Sequence, residues 1–167
     1  AAAAPQLYGD ALKALSRAVE ITPFRADLWL RRAHAHLLAG DAMTAREDLR
    51  RLPSLGTASP LELRQAARWL LKPVEDPEGA VLCLQKAVDV LGNREGNPTH
   101  DQGDLNPLAF KVELLRELSH AYAAMCDPHT AIQTLDHAIE LAAVDVTSAL
   151  EIPALQRAKA ELLLEIG

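Results

Sequence analysis

Residues Leu28 to Leu52 read LWLRRAHAHLLAGDAMTAREDLRRL. Leu28, Ala33, Leu37 and Leu38 are apolar residues of a helix read over Ala26–Ala39. Gly40 then stops the helix, because glycine takes the left-handed conformation that a helix end needs. Asp41 follows as an N-cap, its carboxylate accepting from the free N–H groups of a new first turn. In that second helix Ala45, Leu49 and Leu52 form the apolar stripe. The stretch therefore predicts two helices folded back on each other across Gly40-Asp41.

Working outward, the second-helix stripe recurs. Ala11, Leu15 and Ala18, then Ala80, Leu84 and Ala87, then Ala131, Leu135 and Ala138 repeat the spacing of Ala45, Leu49 and Leu52. The opening alanines are separated by 34, 35 and 51 residues, the last step being one period plus an insert. A small residue at that point lets two helices approach closely, so all four alanines are expected to be buried at crossings. Asp41, Asp76 and Asp127 each precede the opening alanine by four residues, and Pro77 and Pro128 add proline at the first helical position, where its missing N–H costs nothing. Gly79, in the first turn, reads as a mild local weakness. Leu91-Gly92 reads as the end of the third second-helix, and Pro53 ends the second one about a turn early.

Each second helix after that of residues 6–21 has a first helix before it. Pro60–Leu71, capped by Ser59, carries Leu63, Ala66, Ala67, Leu70 and Leu71, and stops before Pro73. Pro107–Met125, capped by Asn106, carries Leu114, Leu115, Leu118, Ala121 and Tyr122. The chain resembles the tetratricopeptide repeat, a helix–turn–helix unit of about 34 residues with W-x2-L-G-x2-Y in its first helix and A-x3-F-x2-A in its second. Trp29 stands at the family's tryptophan and Gly40-Asp41 at its turn. Ala45 and Leu49 take the small and large positions, and Pro23 the proline that closes the preceding unit. Arg32, Ala33 and His36 depart from the first-helix pattern, whereas Leu118, Ser119 and Tyr122 follow it. The resemblance implies an all-α fold, a right-handed α-solenoid of antiparallel helix pairs. The units fall at about 1–25, 26–59, 60–92, 107–145 and 146–167 in one helical-repeat domain.

Composition agrees with this architecture. The chain is 49% hydrophobic but only 4% aromatic, so its core is built from Leu and Ala. A net charge of −6 argues against an electrostatically driven nucleic-acid site, and no apolar run approaches the ~18 residues that span a bilayer. The segment 93–106 (NREGNPTHDQGDLN) is too polar to pack and reads as a loop inserted between repeats. Residues 6–21 form a second helix without a first, and Pro153–Gly167 a first helix without a second. In that last helix Ala160 takes the small position and Leu163 the tyrosine position. Neither end carries a polar capping face, so the expectation is part of a longer array. Cys83 and Cys126 read as buried free thiols. With no disulfide framework and no targeting segment, they point to the cytoplasm or nucleus.

No chemistry is expected. His34 and His36 lie on different helical faces and do not share a metal. Cys126-Asp127-Pro128-His129 has no second ligand cluster, and no phosphate loop or nucleophile motif occurs. The reading is no catalytic residue, no metal and no cofactor. What remains is the concave face that stacked helix pairs create, lined in the resembling family by first helices. Its candidate partner-binding residues are Arg31, His34, Gln65, Trp69, Arg116, His120 and Arg157. Trp69 sits off the core stripe, and Arg31, Arg116 and Arg157 hold adjacent positions on three first helices, a row suited to acidic residues flanking an apolar anchor. The expected function is a non-enzymatic scaffold or adaptor that binds a peptide or helical segment within a multi-subunit complex. Two alternatives stand beside it. One is a co-chaperone-type adaptor, whose lysine and asparagine carboxylate clamp is not matched at Leu30, His34, Gln65, Ala66 and Glu117. The other is a regulatory repeat domain of a larger enzyme.

Overall fold

The computed structural model describes residues 4–94, 106–145 and 147–166. Eight α-helices and two 3-10 turns make up the described residues, with no strand among them. The helices are α1 (Ala4–Ile21), α2 (Ala26–Leu38), α3 (Ala42–Arg51), α4 (Pro60–Leu71), α5 (Pro77–Arg94), α6 (Pro107–Ala124), α7 (Pro128–Ala142) and α8 (Ile152–Ile166). They pack as adjacent pairs in a helical-repeat architecture of the tetratricopeptide kind. The chain forms two compact units, Ala1–Cys83 and Leu84–Gly167, with α5 contributing its first half to one and its second half to the other.

In the first unit α2 is central, packed against α1, α3 and α4. Ala33 and Ala45, on the facing helices α2 and α3, are fully buried, as are Leu49, Leu52, Leu63, Ala66 and Leu70. Short connections such as Ala39–Asp41 force such neighbours antiparallel. Trp29 is buried, its Nε1–H donating to the Pro23 carbonyl at 2.7 Å, while the Arg32 and Arg51 guanidiniums sit 4.8 and 5.0 Å from its ring centre. Arg32 also forks onto Asp48, Nε to Oδ2 at 2.8 Å and Nη2 to Oδ1 at 2.6 Å, which raises the arginine's pKa. Asp48, only 3% exposed, thus has its charge matched where α2 meets α3.

In the second unit α7 packs against both α6 and α8. Ala131, Leu135, Ala138 and Ala142 of α7 are fully buried, as are Leu114 and Ala121 of α6 and Leu155 of α8. Ser119 is buried at the small position expected for it. Lys159 of α8 pairs with Asp136 of α7, and Gln85 donates to the Tyr122 hydroxyl at 2.6 Å. Asn106 caps α6 through Oδ1 and reaches with Nδ2 to Asp145 Oδ2 at 2.9 Å. Asp145 also accepts from Thr147 and Ser148, which hold its carboxyl down at about 2.

The three capping aspartates share one turn geometry. Asp41 accepts from Thr44 N–H at 3.1 Å, Asp127 from Thr130 N–H at 3.1 Å and Asp76 from Gly79 N–H at 3.2 Å. Each is preceded by a residue with positive φ: Gly40 at 82°, Glu75 at 58° and Cys126 at 60°. The aspartate N–H of the first and third turns closes back onto the His36 and Tyr122 carbonyls, satisfying an orphan acceptor of the preceding helix. Only the first of these turns uses the glycine that such a φ favours.

Asp76 does more than cap. Only 2% exposed, it accepts from Arg46 Nε at 2.9 Å, Arg50 Nε at 2.6 Å and Arg50 Nη2 at 2.7 Å. Arg50 above all holds its carboxyl well below the usual carboxylate range. The clamp ties α3 to the start of α5, and Gly79 is part of it. A Cβ at Gly79 would lie 2.6 Å from Asp76 Oδ2 and 3.3 Å from Arg50 Cγ. The glycine read as a weakness is the one residue that leaves room for the ion pair.

Other expectations are corrected. Ala11 is exposed, because no helix precedes α1 among the described residues; α1 buries Val19 and half-buries Leu12 and Leu15 instead. In α8 the inward face is Leu155, Ala158 and Leu162, while Ala160 and Leu163 are exposed. The 3-10 turn Ser148–Glu151 feeds directly into Ile152 and sets that phase ahead of Pro153. Helix α5 runs through Gly92 to Arg94, so the expected loop begins later; residues 95–105 of it lie outside the described residues. Cys83 is buried, which pushes its thiol up to about 12, but Cys126 is an exposed turn residue.

Two outcomes follow. Cys126→Gly should stabilise the protein by about 0.5–1 kcal/mol by relieving the left-handed conformation, read from urea unfolding. Asp76→Asn should cost about 2 kcal/mol at neutral pH, since it strips charge-assisted bonds from two arginines. The folded carboxyl titrates below its unfolded value of about 3.9, so its stabilisation is complete above about pH 4 and is lost as pH falls. The gap between parent and variant should therefore be constant from neutral down to about pH 5 and narrow on approach to about pH 3.

Candidate interaction surface

The candidate residues lie on first helices, and each unit holds its own set. In the first unit, Arg31 and His34 are exposed on α2, and Gln65 and Trp69 are half-buried on α4, one turn apart. The structure brings His34 and Trp69 together: the rings stack with centroids 4.9 Å apart and planes inclined by 11°. Such a pair contributes about 0.5–1 kcal/mol beyond its buried area and fixes both side chains. Trp69 thus packs on the neighbouring first helix and still keeps part of its surface in water. Leu38, one turn after His34, and Leu61, two turns before Trp69, are exposed. The α2 and α4 faces thus present an aromatic pair beside aliphatic side chains, with Arg31 as a cation.

In the second unit, a groove of about 670 Å3 runs between α6 and α8. Arg116, Glu117, Ser119, His120 and Ala123 line it from α6, and Ala158, Glu161, Leu162 and Glu165 from α8. Two of the expected residues, Arg116 and His120, meet here. Arg157 is exposed on α8 but is not among the lining residues. Arg116 Nη1 lies 3.4 Å from Glu151 Oε2, on the turn that leads into α8, so its charge is matched within the chain. The arginine row expected from the sequence therefore has one member ion-paired and one outside the groove.

Sequence reasoning missed Ala123, Ala158, Leu162 and Glu165. The phase of α8 would have found three of them: Ala158, Leu162 and Glu165 follow Leu155 at three-, seven- and ten-residue spacing, and the assignment to Ala160 and Leu163 hid it. Among the described residues no group of three or more His, Cys, Asp or Glu side chains is placed to hold a metal ion, and no helix is long and apolar enough to cross a membrane.

These features give the architecture a point of comparison. The chain is similar in fold to MamA. One crystal structure of MamA superposes with a TM-score of 0.52 at 16% identity, covering 93% of this chain and 82% of that one. A second superposes with a TM-score of 0.51 at 16% identity, covering 93% of this chain and 77% of that one. MamA is a tetratricopeptide-like protein, so the likeness bears on the fold. No protein-family model matches the chain, and no curated protein matches it.

The stacked pair makes its own prediction. His34→Ala should cost about 0.5–1 kcal/mol and leave the helical circular dichroism unchanged. In a Trp29→Phe background, where Trp69 is the only indole, the same change should increase quenching by acrylamide.

Proposed function

We propose that this chain is a non-enzymatic scaffold that holds a segment of a partner protein on its first-helix faces, as one contact surface of a larger assembly. The observation that carries the reading is how the side chains are divided. The buried carboxylates of the ion pairs that hold the first unit together, Asp48 with Arg32 and Asp76 with Arg50, stand on a second helix and a turn. The first helices α2 and α4 instead expose an aromatic pair, and α6 and α8 an open groove. Helical-repeat proteins bind extended or helical segments on surfaces of this kind. The likeness in fold to MamA supports the repeat architecture on which the reading stands.

Site-specific photo-crosslinking tests it. A benzophenone amino acid would be placed at His34 or His120 on first helices, and at Met43 or Leu82 on second helices, all four exposed. Expressed in the native cell, the first-helix positions should yield a protein adduct that the second-helix positions do not. Adducts confined to Met43 and Leu82 would overturn the assignment of the surface.

A further inference from the structure

We propose that the groove between α6 and α8 takes a basic amphipathic helix of a partner protein, an inference that rests on the scaffold reading and gives its second unit a ligand class. The argument is one of charge and shape. Glu161 and Glu165 are exposed, one turn apart, and both face the groove from α8. Glu117 also lines the groove from α6 but has interactions of its own within the chain, so the acidic character rests on Glu161 and Glu165. Against them stand Arg116, whose charge Glu151 already matches outside the lining, and His120. The balance in the groove is negative.

The rest of the lining is small and largely apolar: Ser119 and Ala123 on α6, and Ala158 and Leu162 on α8. These short side chains leave open space between the two helices, and a groove of about 670 Å3 accommodates several side chains rather than one. A helix laid along it would set one aliphatic side chain on Ala158 and Leu162. Cationic side chains three or four residues to either side would meet Glu161 and Glu165, which repeat at the same helical pitch. An acidic segment would meet carboxylates on α8 and an arginine already paired. Like charges brought face to face suppress such a partner, so the groove selects on sign as well as shape.

The test uses two fluorescein-labelled alanine-based helical peptides of identical length, each with one central leucine. One carries lysines three or four residues to either side of the leucine, and the other carries glutamates there. Fluorescence anisotropy with the full chain should show saturable binding of the lysine peptide, weakened by added salt, and none of the glutamate peptide. Glu161→Gln with Glu165→Gln should weaken the lysine peptide by about fivefold. A control with the same change in net charge, Glu47→Gln with Glu140→Gln on second helices, should leave it within about twofold. Ala158→Trp, which fills the groove, should abolish binding. Equal binding of the glutamate peptide, an equal loss in the control, survival of binding in Ala158→Trp, or no saturation with either peptide overturns the proposal. The scaffold reading fails separately: photo-crosslinks from His120 would stand even if the occupant were not basic, and crosslinks from Met43 and Leu82 alone would sink it whatever the peptides do.

Discussion

Two helices come only as close as the side chains at their crossing allow, and in this chain that distance is set by alanine. Ala33, Ala45, Ala66, Ala80, Ala121, Ala131 and Ala138 are all fully buried, at positions where a larger residue would push the axes apart. With so few aromatic residues, the leucines at Leu49, Leu63, Leu70, Leu84, Leu114 and Leu135 fill what remains. Each helix pair is thus a thin, tightly approached layer. The faces turned away from the crossings are left to other side chains.

The two units solve the same packing problem and then diverge in charge. The first unit buries carboxylates, Asp48 and Asp76, and surrounds them with Arg32, Arg46 and Arg50. Those guanidiniums are committed to structure: they brace α2 against α3 and α3 against the start of α5. Among the described residues, the second unit has no charged residue as deeply buried as Asp48 and Asp76. Two of its ties, Lys159–Asp136 and Arg116–Glu151, run along more exposed flanks, where solvent weakens them. Carboxylates there remain on the open side of α8.

Helix existence, order and capping were legible because each has a local chemical cause. An aspartate or asparagine with proline behind it starts a helix, and the alanine–leucine spacing gives its inward face. The buried Ala45, Ala80 and Ala131 follow from that alone. Ala11 shows the limit: the same motif is exposed, because burial needs a partner helix that local sequence does not describe. Phase in α8 was illegible for a related reason. Leu155, Leu162, Leu163 and Leu164 offer two rival stripes, and the 3-10 turn before Ile152 decides between them. The clamp at Asp76 was half legible: the cap was visible, but the arginines that close on it stand 26 and 30 residues away. Gly79 could be understood only once those arginines were in place. For the candidate surface residues, the helix each stands on was legible, but the His34–Trp69 stack and the Arg116–Glu151 pair were not, since stacking and ion pairing depend on rotamers that spacing does not fix.

The two thiols live under different conditions. Cys126 stands in water at a turn, whereas Cys83 lies sealed under the Leu49 carbonyl, its ionisation suppressed by burial. An alkylating reagent therefore meets two clocks in one molecule. The outer thiol reacts at the pace of ordinary solution chemistry. The inner one reacts only when α5 lifts away from α3, so its rate measures how often the first unit breathes.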